Sequence, residues 1–315
     1  MRIGEIMGNP AVSVIVPVFN RRHLIRRAID SLLKQDFTGP YEIIVVDDGS
    51  TDGSVEVIEN IDVKVRILRQ HNRGAAVARY LGMCEARADI LAFLDSDDIA
   101  TPCHLSALWE GLQRRSDIVL AYAKYASIDG KLLQKGRFPA DLDNKNMLMD
   151  PLKSLVEFGC FFAALNIMTY RKLAIQCARG QAKYIAANDY ALALKLANYG
   201  PFAFVDALTL IIDHTDDGIS RSKGALQVGF AVLAIEEAVK KSGRNDSALR
   251  LAIRKRIELL WPSAVIKLLF LKQIVHCLKV LGIAVKYARL HCGFKPLYWA
   301  LCQELSKSKS AGISK

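Results

Sequence analysis

The chain has 315 residues, with 43 Lys and Arg against 32 Asp and Glu and 51% of residues in the hydrophobic class. This length accommodates one large domain or two and lets roughly three quarters of the unfolded surface be buried. Charged residues at 24% and a mean hydropathy of +0.17 exclude a disordered or low-complexity chain.

The net charge of +11 is unevenly placed: residues 221–315 hold 18 basic and 5 acidic side chains, whereas residues 1–220 hold 25 and 27. Two parts with different jobs, 1–220 and 221–315, are the simplest account.

In chain order, residues 12–19 (VSVIVPVF) are a β-branched run bounded by Pro10 and Asn20, the pattern of a strand buried on both faces. Leu24, Ile25, Ala28, Ile29, Leu32 and Leu33 then repeat on one helix face. A second buried strand, 42–46 (EIIVV), is cut off by the turn signal DDGSTDG at 47–53. Residues 63–68 alternate like a strand with one polar side, 74–86 read as an Ala-rich helix, and 90–94 (ILAFL) as a buried strand ending in Asp95-Ser96-Asp97-Asp98.

A helix marked by Leu105, Leu108, Trp109 and Leu112 follows, then a strand at 118–122. Residues 126–200 are less regular, with a loop at 130–146 and a helix around 189–198. Two later strands, 202–205 and 207–212, precede a C-terminal region that is helical in pattern. Strands alternating with helices predict an α/β fold with a doubly wound, mostly parallel sheet. In such a sheet the site lies at the carboxyl ends of the strands. Three strands there end in polar groups: Asn20, Asp47-Asp48 and Asp95 to Asp98.

Seven cysteines (Cys84, Cys103, Cys160, Cys177, Cys277, Cys292 and Cys302) show neither a Cys-x-x-Cys pair nor zinc spacing. They read as reduced, mostly buried residues of a cytoplasmic protein. Residues 1–9 lack the apolar core of a signal peptide, and no uninterrupted apolar run reaches the ~18 residues of a membrane span.

No P-loop and no G-x-G-x-x-G opens a helix, so phosphate must be held another way. Two carboxylates one residue apart, Asp95 and Asp97, at the end of a buried strand suit a hard divalent cation that shares its shell with diphosphate oxygens. Taken alone, the same acids read more readily as a turn capping the helix that starts near Pro102. The ordered set VSVIVPVFN, EIIVVDDGSTDGS, NRGAAVARYLG and ILAFLDSDD is more specific than any one of its members. It resembles the inverting family 2 glycosyltransferases of GT-A fold, over residues 11–220.

That resemblance implies a nucleotide-sugar donor, UDP-type, Mn²⁺ or Mg²⁺ as cofactor, and a glycan or lipid-linked glycan acceptor in surface polysaccharide or glycolipid synthesis. It places Pro17 and Phe19 along the nucleoside pocket, Asp48 on the base and Asp47 in the turn. Asn72, Gly74 and Arg79 fall in the stretch whose arginine offsets nucleotide charge; Tyr80 departs from the Asn common there. Asp97 corresponds to the direct metal ligand, Asp95 to a ribose or outer partner, and Asp98 to a third carboxylate.

Asp189, in Asn188-Asp189-Tyr190, stands where the family carries its catalytic base, with Asn188 replacing Glu; its plain alternative is a helix N-cap or first-turn residue. His214 sits where relatives carry a His near the metal or diphosphate, and is equally a loop histidine. Asp213, Asp216 and Asp217 read as a solvated acidic loop.

Beyond residue 220, apolar faces (Leu226, Phe230 and Leu233; Ile257 to Leu269; Ile274 to Val285) are flanked by Arg254, Lys255, Arg256, Lys267, Lys272, Lys279, Lys286 and Arg289. Such faces lie on an anionic membrane surface, or they pack on the sheet or form a homo-oligomer; patterning does not separate these. A nucleic-acid partner is disfavoured because Trp261, Tyr287, Phe294, Tyr298 and Trp299 are spaced like core or interface residues rather than base-stacking ones. The expectation is a metal-dependent inverting glycosyltransferase, hexosyl- or N-acetylhexosaminyl-type, peripheral at the inner face of the cell membrane. The alternative is an inactive relative serving as a nucleotide-binding or membrane-associated partner subunit.

Overall fold

The computed structural model describes residues 9–129, 142–143, 146–160, 162, 166–180, 187–213, 224–270 and 274–288. Cys292, Cys302 and His214, Asp216 and Asp217 lie outside them, as does most of the loop expected at 130–146.

The first half is built as the sequence pattern requires. β1 (Val12–Val18) and β2 (Tyr41–Asp47) are buried along their whole length. Their side chains alternate between two apolar layers: Val14, Val16, Ile43 and Val45 face one, Ile15, Ile44 and Val46 the other. β3 (Val65–Arg69) is a half-buried edge strand, and β4 (Ile90–Phe93) pairs with β1 on the opposite side. All of these pairings are parallel.

α1 (Ile25–Leu33) and α3 (His104–Gln113) cover one face, burying Ile25, Ala28, Ile29 and Leu32, and Leu105, Leu108 and Leu112. α2 (Ala75–Glu85) covers the other through Ala78 and Met83. Two-sided coverage is the doubly wound arrangement.

The second half differs from expectation in three places. β6 (Leu120–Ser127) runs past residue 122, because the mixed sequence Ala123 to Ser127 hides its continuation. The strands expected at 202–205 and 207–212 are one, β9 (Phe202–Ile212), whose parallel register with β6 shifts opposite Ala123 to Tyr125. Asp206 projects to solvent at that irregularity and breaks the apolar run. Buried Asn166 pins the site: its amide donates to the Ala123 and Lys124 carbonyls, and its oxygen accepts from the Thr209 hydroxyl at 2.9 Å.

Third, β8 (Ile167–Tyr170) inserts antiparallel between β4 and β6, giving the order β3-β2-β1-β4-β8-β6-β9-β5. Short β5 (Ile99–Ala100) and β7 (Met147–Leu148) add antiparallel pairs to β9.

The remaining described helices are α4 (Pro151–Phe158), α5 (Arg171–Ala178), α6 (Asn188–Leu196), α7 (Gly224–Ser242), α8 (Ser247–Phe270) and α9 (Ile274–Ala288). α4 starts on a complete N-terminal signal: Asp150 caps it by accepting from the Lys153 amide at 3.1 Å, and Pro151 follows. The apolar sides of α7, α8 and α9, including Phe230, Ile235, Ile253, Ile257, Trp261 and Val280, share one continuous core with α4, α6 and the sheet. Of the five cysteines among the described residues, Cys177 and Cys277 are buried, Cys103 and Cys160 intermediate, and Cys84 exposed, so burial of cysteine is less general than expected. Among the described residues no helix is long and apolar enough to cross a membrane.

Candidate active site at the acidic edge of the sheet

Parallel pairing brings the ends of β1, β2 and β4 together, with Val18 opposite Asp47 and the Asp48 amide donating to the Val18 carbonyl at 2.8 Å. Beyond β1 the chain turns through Asn20 at φ 50°, a left-handed conformation that Asn tolerates. Asn20 is stitched to the next turn: its amide donates to the Ser50 hydroxyl at 3.0 Å, and its side-chain oxygen accepts from the Thr51 amide at 2.9 Å. Asp47 accepts from the Ser50 amide at 2.9 Å, the turn-supporting role expected of it. Gly49, at φ 82°, lies so close to the 70–72 segment that a Cβ would meet the Asn72 nitrogen at 3.0 Å.

Asp48 is buried and heavily engaged. One oxygen accepts from the Gln70 side chain at 2.6 Å and the Arg73 amide at 2.8 Å, while the other accepts from the Gly74 amide at 2.8 Å. It therefore holds the turn that opens α2, and its second oxygen keeps one lone-pair direction unused among the described contacts. Pro17 is buried within β1 and Phe19 stands exposed at the tip of that strand.

α2 delivers Arg79 to the edge. Its guanidinium bonds Asp95, beyond β4, and donates to Asp189 at 3.3 Å. Asp189 lies in the first turn of α6 with Ala187, not Asp189, at the N-cap. Asp189 is thus the first-turn acid of the plain alternative rather than the cap itself, and its carboxylate also reaches Arg79 across the edge. Three residues expected in the site, separated by up to 110 positions, meet here. Burial works against the Arg79 charge, but Asp95 and Asp189 outweigh it and hold the guanidinium protonated. Burial raises the Asp189 carboxyl, Arg79 opposes this, and Asp95 adds to it.

The acidic turn is compact: ligand oxygens of Asp95, Asp97 and Asp98 lie within 4.8 Å of one another. Burial first, then the Asp95 charge, pushes Asp97 up; burial, then Asp95 and Asp97, pushes Asp98 well above the usual carboxylate range. Hard oxygen donors this close fit Mg²⁺ or Mn²⁺.

Sequence reasoning missed the cations around that turn. Arg21 approaches Asp97 at 3.8 Å. Arg27, from α1, donates to the Asp97 carbonyl at 2.8 Å and to Asp213 at 2.7 Å. Asp213 is therefore not part of a solvated loop, since its amide also donates to Asp98 at 3.3 Å. No local pattern announces pairs that only the tertiary fold creates. Tyr80, where the family commonly carries Asn, packs against the core.

The model of the family "Glycosyl transferase family 2" matches residues 13–185, more than half of the chain. The chain belongs to that family. It is 36% identical over 125 residues to glycosyltransferase GlyG of Streptococcus pneumoniae, covering 38% of this chain and 41% of that one. It is 35% identical over 127 residues to an uncharacterized glycosyltransferase of Haemophilus influenzae, covering 39% and 50%. The matches thus span half or less of those relatives.

Among solved structures, Staphylococcus aureus TarS 1-349 with UDP-GlcNAc aligns with a TM-score of 0.63 at 17% identity, over 82% of this chain and 79% of that one. The mannosyltransferase PcManGT of Pyrobaculum calidifontis, with GDP-Man and Mn²⁺, aligns at 0.59 and 17% identity, over 98% and 82%. These likenesses show the GT-A fold that the family resemblance implied.

Proposed function

We propose that the chain is a metal-dependent, inverting glycosyltransferase. It moves a hexosyl or N-acetylhexosaminyl group from a nucleotide sugar, UDP-type, to an acceptor hydroxyl in surface polysaccharide or glycolipid synthesis. The observation that carries this reading is the convergence of Asp95, Asp97 and Asp98 with Arg79 and Asp189 on one edge of the sheet. TarS with UDP-GlcNAc and PcManGT with GDP-Man and Mn²⁺ show nucleotide sugars on relatives of this fold.

In this reading Phe19 covers the base beside Pro17, and Asp48 accepts from the base through its remaining lone pair while fixing the 70–74 turn. Asp97 is the direct metal ligand and Asp95 the ribose or outer partner, with His214 a further ligand outside the described residues. A bound Mn²⁺ or Mg²⁺ supplies positive charge to the departing diphosphate. Arg79 adds fixed positive charge beside it and keeps Asp189 oriented. Asp189, paired with Arg79 and placed in the first turn of α6, takes the proton from the attacking hydroxyl. Attack opposite the leaving group inverts the anomeric carbon.

The division at 220 is proposed on the charge split, with the helices after it packing on α4 and α6 as a subdomain. Their basic outer side, including Arg250, Arg254 and Lys255 beside exposed Leu251 and Leu259, supports peripheral contact with the cytoplasmic face of an anionic membrane. Sedimentation of the whole chain with anionic but not neutral vesicles is the expected outcome; no sedimentation with either removes the membrane contact.

The enzymatic reading is tested by incubating the chain with a panel of UDP- and GDP-sugars and Mn²⁺. Metal-dependent release of nucleoside diphosphate is expected. Donor binding without release in the presence of cell-envelope lipid extract supports the inactive-partner alternative.

A further inference from the structure

The Asp95 to Asp98 turn is not held by its own strand alone. Three ties join it to the end of β9, a segment more than 110 positions away. β5, just after Asp98, pairs Ile99 with Ile211. The Asp213 amide donates to the Asp98 carboxylate at 3.3 Å. One nitrogen of Arg27 donates to both the Asp97 carbonyl, at 2.8 Å, and the Asp213 carboxylate, at 2.7 Å.

The third tie is the most demanding. Arg27 comes from α1 on one face of the sheet, and its Nε is buried without a hydrogen bond among the described contacts. The Arg27 side chain is about one-third exposed, but one of its nitrogens serves two acceptors from different elements and so ties their separation. The Asp97 peptide carbonyl sets the orientation of the Asp97 and Asp98 backbone, and so the direction of both carboxylates. The Asp213 carboxylate returns the charge and closes a ring through Asp98.

We propose that Arg27 is a positioning residue for the metal-ligating turn, which it locks to the β9 terminus at Asp213 so that the Asp97 and Asp98 carboxylates converge before the cation and diphosphate arrive. This rests on the metal-dependent reading of the site. Outer partners of this kind tune metal affinity by about 10- to 100-fold when removed. Arg27 touches no expected substrate atom, so its effect is on affinity and orientation rather than on the chemical step.

The test uses the whole chain with Mn²⁺ and UDP, reading free Mn²⁺ by electron paramagnetic resonance and folding by thermal unfolding. Arg27→Met and Asp213→Asn are each expected to raise the Mn²⁺ dissociation constant about tenfold. The double variant should lose little more than either alone, because both changes break one unit. Arg27→Lys, which keeps the charge, should recover part of the affinity.

Unchanged Mn²⁺ affinity in folded Arg27→Met, or losses that multiply in the double variant, overturns the proposal. If Arg27→Met does not fold, the other end of the ring decides: unchanged affinity in Asp213→Asn overturns it equally. Absence of Mn²⁺ binding by the unaltered chain instead refutes the metal-dependent reading, and this inference falls with it.

Discussion

The acidic edge of the sheet and the basic C-terminal helices both carry many charges, but they arrange them differently. At the edge, Arg79 and Arg27 are drawn in from helices on opposite faces to meet carboxylates 110 and 186 positions away. On α8 the pair Arg254 to Glu258 is a neighbour on one helix, with side chains 52% and 38% exposed, against 9% for Arg79. Exposed pairs of the second kind contribute roughly 0–1 kcal/mol, whereas breaking a buried pair costs about 3–5 kcal/mol. Charge at the edge is therefore a constraint on geometry, while charge on the tail is a property of a surface. That contrast is why net charge alone says little about the chemistry of this chain.

The contrast can be broken at its strongest point by Asp97→Ala. Losing the proposed direct metal ligand should lower nucleoside diphosphate release by about 1,000-fold, since a metal's charge stabilisation amounts to several kcal/mol. Next, Arg79→Met should cost about 2–3 kcal/mol in urea unfolding, because the bonds from a buried guanidinium to the partly exposed Asp95 and Asp189 are lost. The matched change on the tail, Arg254→Met, should stay under about 1 kcal/mol in the same measurement.

Acid titration sharpens the comparison on the sheet side. His104, at the start of α3, is fully buried against the Thr209 carbonyl, and burial lowers it to about 4. Between the ordinary histidine value near 6.5 and about 4, the unfolded chain binds a proton that the folded one refuses. Stability should therefore fall as pH drops through that window, by about 3 kcal/mol, and His104→Gln should remove that part of the slope. The smallest effect joins the two regions: Arg244, after α7, makes two bonds of 2.7 Å to the α4 cap Asp150. As this clamp is about one-third exposed, Arg244→Ala should lower stability by no more than about 1 kcal/mol.

Much of the edge was legible before the structure. Strands buried on both faces are written as apolar runs, so β1, β2 and β4 stand out and their polar ends name the site. Asp48, Asp95, Asp97 and Asp189 could be singled out because family order and spacing accompany them. The pairing of Arg79 with Asp189 was not readable, since nothing local to α2 or α6 encodes a contact between them. Arg27 falls among the polar positions between the apolar residues of α1, and Asp213 is one acid among several in its stretch. β8 was invisible for another reason: four residues with no turn signal carry too little pattern, and its antiparallel direction is set by the strands it fills between. Asp206 had the opposite effect, splitting one irregular strand into two.

In the proposed reaction Asp189 accepts the acceptor's proton at an edge organised by Arg79 and the acidic turn. Asp189→Asn keeps the shape and the neutral hydrogen-bonding side chain while removing the base, so it separates binding from turnover. In the whole chain with Mn²⁺ and the donor found by the sugar panel, thermal stabilisation by donor should persist while nucleoside diphosphate release falls by about 100-fold or more. Release within a few-fold of the unaltered chain would contradict the account.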